Sequence, residues 1–366
     1  MHGRSHVIAA ALAAWSAGAC QDGTSGPHQG APDGGSTVPD GGAVAVDAAG
    51  ADAAPAGADE TVVGFEGEHV YFGAENRRQV EVEVDLPEAG ASYARISLQL
   101  GLRCPAERCD WWDRLGWLSI VDGDQEIEVL RFITPYRVGG AWTVDVTELR
   151  PLLAGRRTLR VFIDTWVGPG HANGDGWLVD AAFAFEGGTP AREAIAVIPV
   201  WAPHARVYGD PARPIAGVES VELPEGTRTV EARAFVTGHG QGNADNCAEF
   251  CARTHTFAVD GATRARELWR DDCAETGVPG QQGTWEYPRA GWCPGATVHA
   301  VREEVVLTAP GPASVEVAYD VEAYDNTCRP DAPTCTGCVF GTGCDYNGGS
   351  HTEPSYWVSL ALIAFR

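Results

Sequence analysis

The sequence predicts an all-β protein built from antiparallel sandwiches, and three observations carry that expectation. Apolar and polar residues alternate over many short runs, the period of a strand with one face in a core. Glycine and proline are frequent, 45 and 23 of 366 residues, so amphipathic stretches are broken before they reach helical length. The length corresponds to two domains at roughly 150 residues each.

The chain opens with an export signal over residues 1–20. Arg4 supplies a weakly positive start, and Val7 to Trp15 form an apolar core too short to span a bilayer. Ala17-Gly18-Ala19-Cys20 then reads as a small-residue cleavage site. Cys20 stands where a bacterial lipoprotein carries its lipidated cysteine, although Ala17 replaces the usual Leu. This predicts a lipid anchor and a cell-surface or outer-membrane location, with plain secretion as the alternative. Setting Cys20 aside from the eleven cysteines leaves an even ten, suited to disulfides in an oxidising compartment. Residues 21–60 are Gly, Ala, Asp, Pro and Ser with almost no large apolar side chain, the composition of a disordered tether reaching roughly 35 Å.

From Thr61 the texture becomes alternating. Val80-Val82-Val84, Ile96-Leu98-Leu100-Leu102, Leu159-Val161-Ile163, Val315-Val317-Tyr319-Val321 and Tyr356-Val358-Leu360-Leu362 each keep one face apolar. Asp122-Gly123 and Asn347-Gly348 mark turns. Gly187-Gly188-Thr189-Pro190 is the best boundary, dividing an N-terminal domain at 61–188 from a C-terminal one at 189–366.

Composition excludes several chemistries. All 26 cationic side chains are Arg, so Schiff-base lysine chemistry and a lysine-dependent phosphate loop are excluded. A formal charge of −24 disfavours nucleic acid and anionic lipid as partners. Its plain reading is solubility.

Four segments could carry chemistry. In Cys104-Pro-Ala-Glu-Arg-Cys109 an extended chain would hold the cysteines about 16 Å apart, so they pair only across a tight loop. Asp113 and Arg114 follow, with Trp111 and Trp112 beside them. A carboxylate next to a guanidinium stays ionised, though a surface ion pair explains this segment alone equally well. Cys247-Ala-Glu249-Phe-Cys251 becomes a pinched turn if its cysteines pair, a rigid mount for Glu249; a plain disulfide loop is as good a reading. After Leu159-Val161-Ile163 point inward, Asp164 and Trp166 share the other face, a pairing of acid and indole that suits a sugar. An ordinary solvent-facing pair is the bland account. Arg289-Ala-Gly-Trp292-Cys293 holds another cation and indole near a cysteine.

These segments, with Arg131-Phe-Ile-Thr-Pro-Tyr136 and Arg253-Thr-His-Thr256, occur in the order found in the bacterial peptide-N-glycosidase F family, which the chain resembles over roughly 61–366. The resemblance implies two jelly-roll β-sandwiches side by side, with the active site where they meet. It makes Asp113 the principal catalytic acid and Glu249 a second acid near the catalytic water. Asp164 matches a Glu that contacts the sugar near the reaction centre. Arg114, Trp166, Arg289 and Trp292 match residues lining the site. The implied disulfides are Cys104–Cys109, Cys247–Cys251 and Cys273–Cys293. Two departures concern substrate fit: Asp164 is one methylene shorter than Glu, and His239 stands where the family has Trp. A Gly-rich insertion carries Cys328, Cys335, Cys338 and Cys344, read as two more disulfides rather than a four-cysteine zinc site.

The implied reaction is hydrolysis of the amide between an Asn side chain and the innermost N-acetylglucosamine of an N-glycan. It leaves Asp, releases a glycosylamine and needs no cofactor. Asp113 would orient or deprotonate water, or attack directly; Arg114 and Arg289 would face the developing negative charge; Glu249 would position water or shuttle the proton. The substrates would be N-glycoproteins or N-glycopeptides, met by a monomer. The rival readings are a non-catalytic glycan-binding jelly roll, a glycoside hydrolase using paired carboxylates, and a paired-jelly-roll copper monooxygenase. The last needs clustered His and a Met ligand, whereas Met1 is the only methionine. Asp122-Gly-Asp124 and Asn173-Gly-Asp175 are read as turns rather than calcium sites.

Overall fold

A computed structural model of the chain describes residues 54–307, 314–332 and 351–366. The export signal, Cys20, most of the tether, and Cys335, Cys338 and Cys344 lie outside the described residues. Cys328 is itself disulfide-bonded.

Among the described residues nine strands fill the first half: β1 (Glu60–Phe72), β2 (Asn76–Arg77), β3 (Gln79–Leu86), β4 (Tyr93–Arg103), β5 (Leu115–Asp122), β6 (Gln125–Ile133), β7 (Gly140–Asp145), β8 (Gly155–Ile163) and β9 (Trp177–Gly187). Among the described residues of the second half there are eight: β10 (Ala194–Val207), β11 (Gly217–Glu222), β12 (Thr229–His239), β13 (Thr254–Val259), β14 (Ala262–Glu267), β15 (Val301–Val306), β16 (Ser314–Val321) and β17 (Ser355–Phe365). Among the described residues the only α-helix is one turn, Cys273–Thr276.

The first jelly roll faces a sheet ordered β2-β1-β9-β4-β7 against one ordered β3-β8-β5-β6; the second faces β10-β17-β12-β15 against β11-β16-β13-β14. All pairings between these strands are antiparallel. The alternation does what its period requires. Ile96, Leu98, Leu100 and Leu102 of β4 enter the first core with Leu159, Val161 and Ile163 of β8, and Val315, Val317, Tyr319 and Val321 of β16 enter the second. The expected tether ends earlier than residue 60. Gly57 N donates to Ser92 O at 2.8 Å, and Asp59 Oδ1 accepts from Gly187 N at 2.7 Å.

The two sandwiches meet through β6, β12 and β17, whose strands are buried on both faces. Tyr356, Val358, Leu360 and Leu362 of β17 join the second core, while Ala361, Ile363 and Phe365 pack into the first. On β12, Val230, Ala232, Ala234 and Val236 face the second core. The intervening Arg233 donates to the carbonyls of Glu128 (2.9 Å) and Val129 (2.6 Å) on β6. Arg131 is fully buried and grips Glu128 through two bonds of 2.7 Å. Its Nη1 reaches Thr237 Oγ1 (3.2 Å) and Trp357 O (2.6 Å) across the junction. Leu115, Trp117 and Ile133 pack there on Phe235, Trp292 and Val298. Removing one partner of a buried pair such as Glu128–Arg131 leaves a bare charge, a loss of about 3–5 kcal/mol.

Candidate active site

Three disulfide-braced loops converge at one end of this junction. Cys104 and Cys109 are bonded with Cα atoms 4.3 Å apart, Cys247 and Cys251 at 5.0 Å, and Cys273 and Cys293 at 5.1 Å. Each segment is thus the compact loop that its pairing demands.

The first loop leads through residues 110–114 into β5. Asp110, completely buried, accepts from Trp112 N (3.1 Å), Arg114 Nε (2.7 Å) and Thr165 Oγ1 (2.7 Å). It closes the turn that presents Asp113. Arg114 therefore pairs with Asp110, not with its neighbour Asp113 as the adjacent positions suggested, and acts on Asp113 only through its field. The second loop sets Glu249 against Gly240. Glu249 N donates to Gly240 O (3.2 Å), and Gly240 N faces Glu249 Oε2 at 3.4 Å. Gly240 has φ +108, and a Cβ there would stand 2.7 Å from the Glu353 carbonyl oxygen, so only glycine fits.

Arg289 joins the two acids. It is 1% exposed and anchored by Nη1 to Tyr287 O (2.8 Å) and Nη2 to Thr284 Oγ1 (3.2 Å). Its Nε lies 3.5 Å from Glu249 Oε1 and its Nη2 3.8 Å from Asp113 Oδ2. The two carboxylates, Asp113 16% and Glu249 18% exposed at the side chain, thus share one cation. Burial raises both pKa values. For Asp113 the rise is opposed by Arg289, by a hydrogen bond from Tyr136 and by Arg114. For Glu249 burial is reinforced by the Asp113 charge, and the group is pushed up to about 8. Two acids facing one cation retain a proton near neutrality, and Asp113, with more donors, leaves it to Glu249. Tyr136, itself raised by burial and by Asp113, also bonds Thr284.

The remaining candidates divide. His239 stacks on Trp292 with centroids 5.3 Å apart and bonds Thr237 Oγ1 through Nε2 (2.9 Å). Burial, then Arg131 and Arg289, push its pKa down to about 3, so the ring is neutral. Trp292 was expected to line the site. It is instead 3% exposed, layered between His239 and the Arg289 guanidinium (4.9 Å), with Nε1 donating to Gly238 O at 2.7 Å. Its ring supports Arg289. The most open indoles are Trp112 and Trp166, both 51% exposed, with Trp111 at 38%. Asp164 and Trp166 do meet, through a side-chain hydrogen bond, with the intervening Thr165 turned inward onto Asp110.

Sequence reasoning missed Asp110, Tyr136, Thr284 and Arg78. Tyr136 closes the Arg131-Phe-Ile-Thr-Pro-Tyr136 segment and Asp110 follows a cysteine, but nothing local marks a partner remote in the chain.

The chain is similar to known proteins over much of its length. The family model described as "Peptide-N-glycosidase F, N terminal" matches residues 115–174, and "Peptide-N-glycosidase F, C terminal" matches 211–333. Peptide-N(4)-(N-acetyl-beta-D-glucosaminyl)asparagine amidase F of Elizabethkingia miricola is 29% identical over 273 residues, 70% of this chain and 75% of that protein. A crystal structure of peptide-N(4)-(N-acetyl-beta-D-glucosaminyl)asparagine amidase superposes with a TM-score of 0.68 at 24% identity, covering 84% of this chain and 96% of the other. The structure of PNGase F, a glycosylasparaginase from Flavobacterium meningosepticum, gives 0.67 at 24% identity with the same coverage.

Proposed function

The chain belongs to the peptide-N-glycosidase F family, and on that premise we propose that it hydrolyses the amide between an Asn side chain and the innermost N-acetylglucosamine of N-glycoproteins. One observation carries the site assignment: Asp113 and Glu249, borne by different sandwiches, face the same buried cation, Arg289.

Ionised Asp113 orients a water and takes its proton as the oxygen bonds to the amide carbon. Arg289 and the uncommitted Nη1 of Arg114 face the charge that develops on the tetrahedral oxygen. Protonated Glu249 delivers a proton to the leaving nitrogen as the carbon–nitrogen bond breaks. The products are a glycosylamine, which then loses ammonia, and a peptide with Asp in place of Asn. Asp164 and Trp166 hold the sugar, and the neutral ring of His239 carries an acceptor nitrogen that an indole lacks. No step needs a cofactor.

The two jelly rolls are the two domains, divided near 188/189. The three disulfides suit export into an oxidising compartment, and lipidation at Cys20 would keep the enzyme at the cell surface. Incubation with an N-glycopeptide and mass spectrometry of both products tests the reaction. A peptide gaining Asp supports it; a peptide keeping one sugar on Asn means a glycoside hydrolase; binding without cleavage means a glycan-binding module.

A further inference from the structure

We propose that Arg78 is a positioning residue of the sugar subsite, holding the Asp164 carboxylate and the Trp166 indole in the one arrangement that receives the innermost sugar. The proposal rests on the amidase reading above. Both ends of the connection from β1 to β3 are tied to the end of β8 and the segment after it: Phe72 N donates to Val167 O at 2.8 Å, and Ile163 N donates to Arg78 O at 2.9 Å. The Arg78 guanidinium then lies 4.4 Å from the Trp166 ring centroid and 5.0 Å from that of Phe72. Its Nη1 is 3.0 Å from Asp164 Oδ1, and its Nε is held by Asn76 Oδ1 at 3.0 Å.

A planar guanidinium can stack and donate in its own plane at the same time, which an ammonium cannot. Arg78 therefore sets the tilt of the indole and the aim of the acid together. The acid needs this help, because it is a methylene shorter than Glu and begins its reach from further back. Burial pushes the Asp164 pKa up, and Arg78 leads the groups that oppose the rise. With one ring face of Trp166 on the guanidinium and half the residue exposed, the open face and the rest of the carboxylate remain for the pyranose and its hydroxyl or acetamido N–H.

The test compares Arg78→Met, Arg78→Lys, Asp164→Asn and the Arg78→Met/Asp164→Asn double variant on one N-glycopeptide, with kcat and KM separated and folding checked by melting. Arg78→Met should raise KM about tenfold or more while kcat falls less. Arg78→Lys should recover only part of the loss, and the double variant should be within about twofold of Asp164→Asn, because the two residues act as a unit. Independent, multiplying effects, or an unchanged KM in folded Arg78→Met, would overturn the proposal. The pH titration of Trp166 fluorescence, taken as the difference from Trp166→Phe protein, reads Asp164 ionisation without turnover, and its midpoint should rise in Arg78→Met. If the wild type cleaves no glycopeptide, the amidase reading falls. The titration then still decides the proposal, and an unmoved midpoint overturns it.

Discussion

Asp113→Asn tests the central assignment most directly. Asn has nearly the same shape, and its carbonyl oxygen can still accept from Tyr136, so the turn closed by Asp110 should stay intact. Two things change. The variant cannot take a proton from water, and loss of a general base costs about 10²–10⁴-fold in rate, on the order of 3–5 kcal/mol of barrier. The charge facing Arg289 at 3.8 Å also vanishes. At an effective dielectric near 20 that attraction is about 4 kcal/mol, so Arg289 is left with Glu249 alone. The Asp113 charge that helped raise Glu249 is gone, so Glu249 should ionise at lower pH. The expected result is a fall in kcat of about 100-fold or more at pH 6–7, little change in KM, and a residual rate whose alkaline decline begins at lower pH than in wild type. Mass-spectrometric product formation over a range of glycopeptide concentrations and pH measures all three, with a melting transition as control. A folded variant that converts Asn to Asp at near wild-type rate, or whose loss is confined to KM, would refute the reasoning.

Other expectations follow from the same geometry. Glu249 is protonated below about 8 rather than its usual 4.5, so the activity that needs its proton should be lost as pH rises through about 8, and Glu249→Gln should abolish that limb in a pH–rate profile. The same shift is a stability effect of fixed sign: its folded pKa is raised, so its contribution is fully present below about 4.5 and lost as pH rises through about 8. Melting temperatures of Glu249→Gln and wild type should therefore diverge in the variant's favour between pH 5 and pH 9. Trp292→Ala should lower both melting temperature and kcat, because the ring is buried beneath Arg289 and truncating such an aromatic costs about 3–5 kcal/mol. Trp166→Ala, at an exposed position, should raise KM and leave melting almost unchanged; the reverse pattern would exchange their roles. Activity should persist after exhaustive chelation, measured by the same product assay; loss restored by one metal ion would overturn the mechanism.

The sequence alone determined what depends on neighbours along the chain. A strand's side chains alternate with period two, so β4, β8 and β16 declared their core faces in Ile96–Leu102, Leu159–Ile163 and Val315–Val321. Motif order, read as a resemblance, named Asp113, Glu249 and Arg289, and the three disulfide pairs it implied are formed. What only the tertiary structure decided is which groups meet across long stretches of chain. Asp113, Glu249 and Arg289 come from three separate loops, and no local pattern says that one guanidinium serves both acids. Adjacency even misdirected Arg114, because a turn swings successive side chains apart and Asp110 sits where the guanidinium falls. Tryptophan type could not tell the buried Trp292 from the open Trp166, since burial depends on what packs above a ring. On β17, Ala361, Ile363 and Phe365 take the positions of opposite parity to the apolar alternation and are buried because a second sandwich covers the strand's other face. Alternation reports one buried face, and a strand shared by two cores has two.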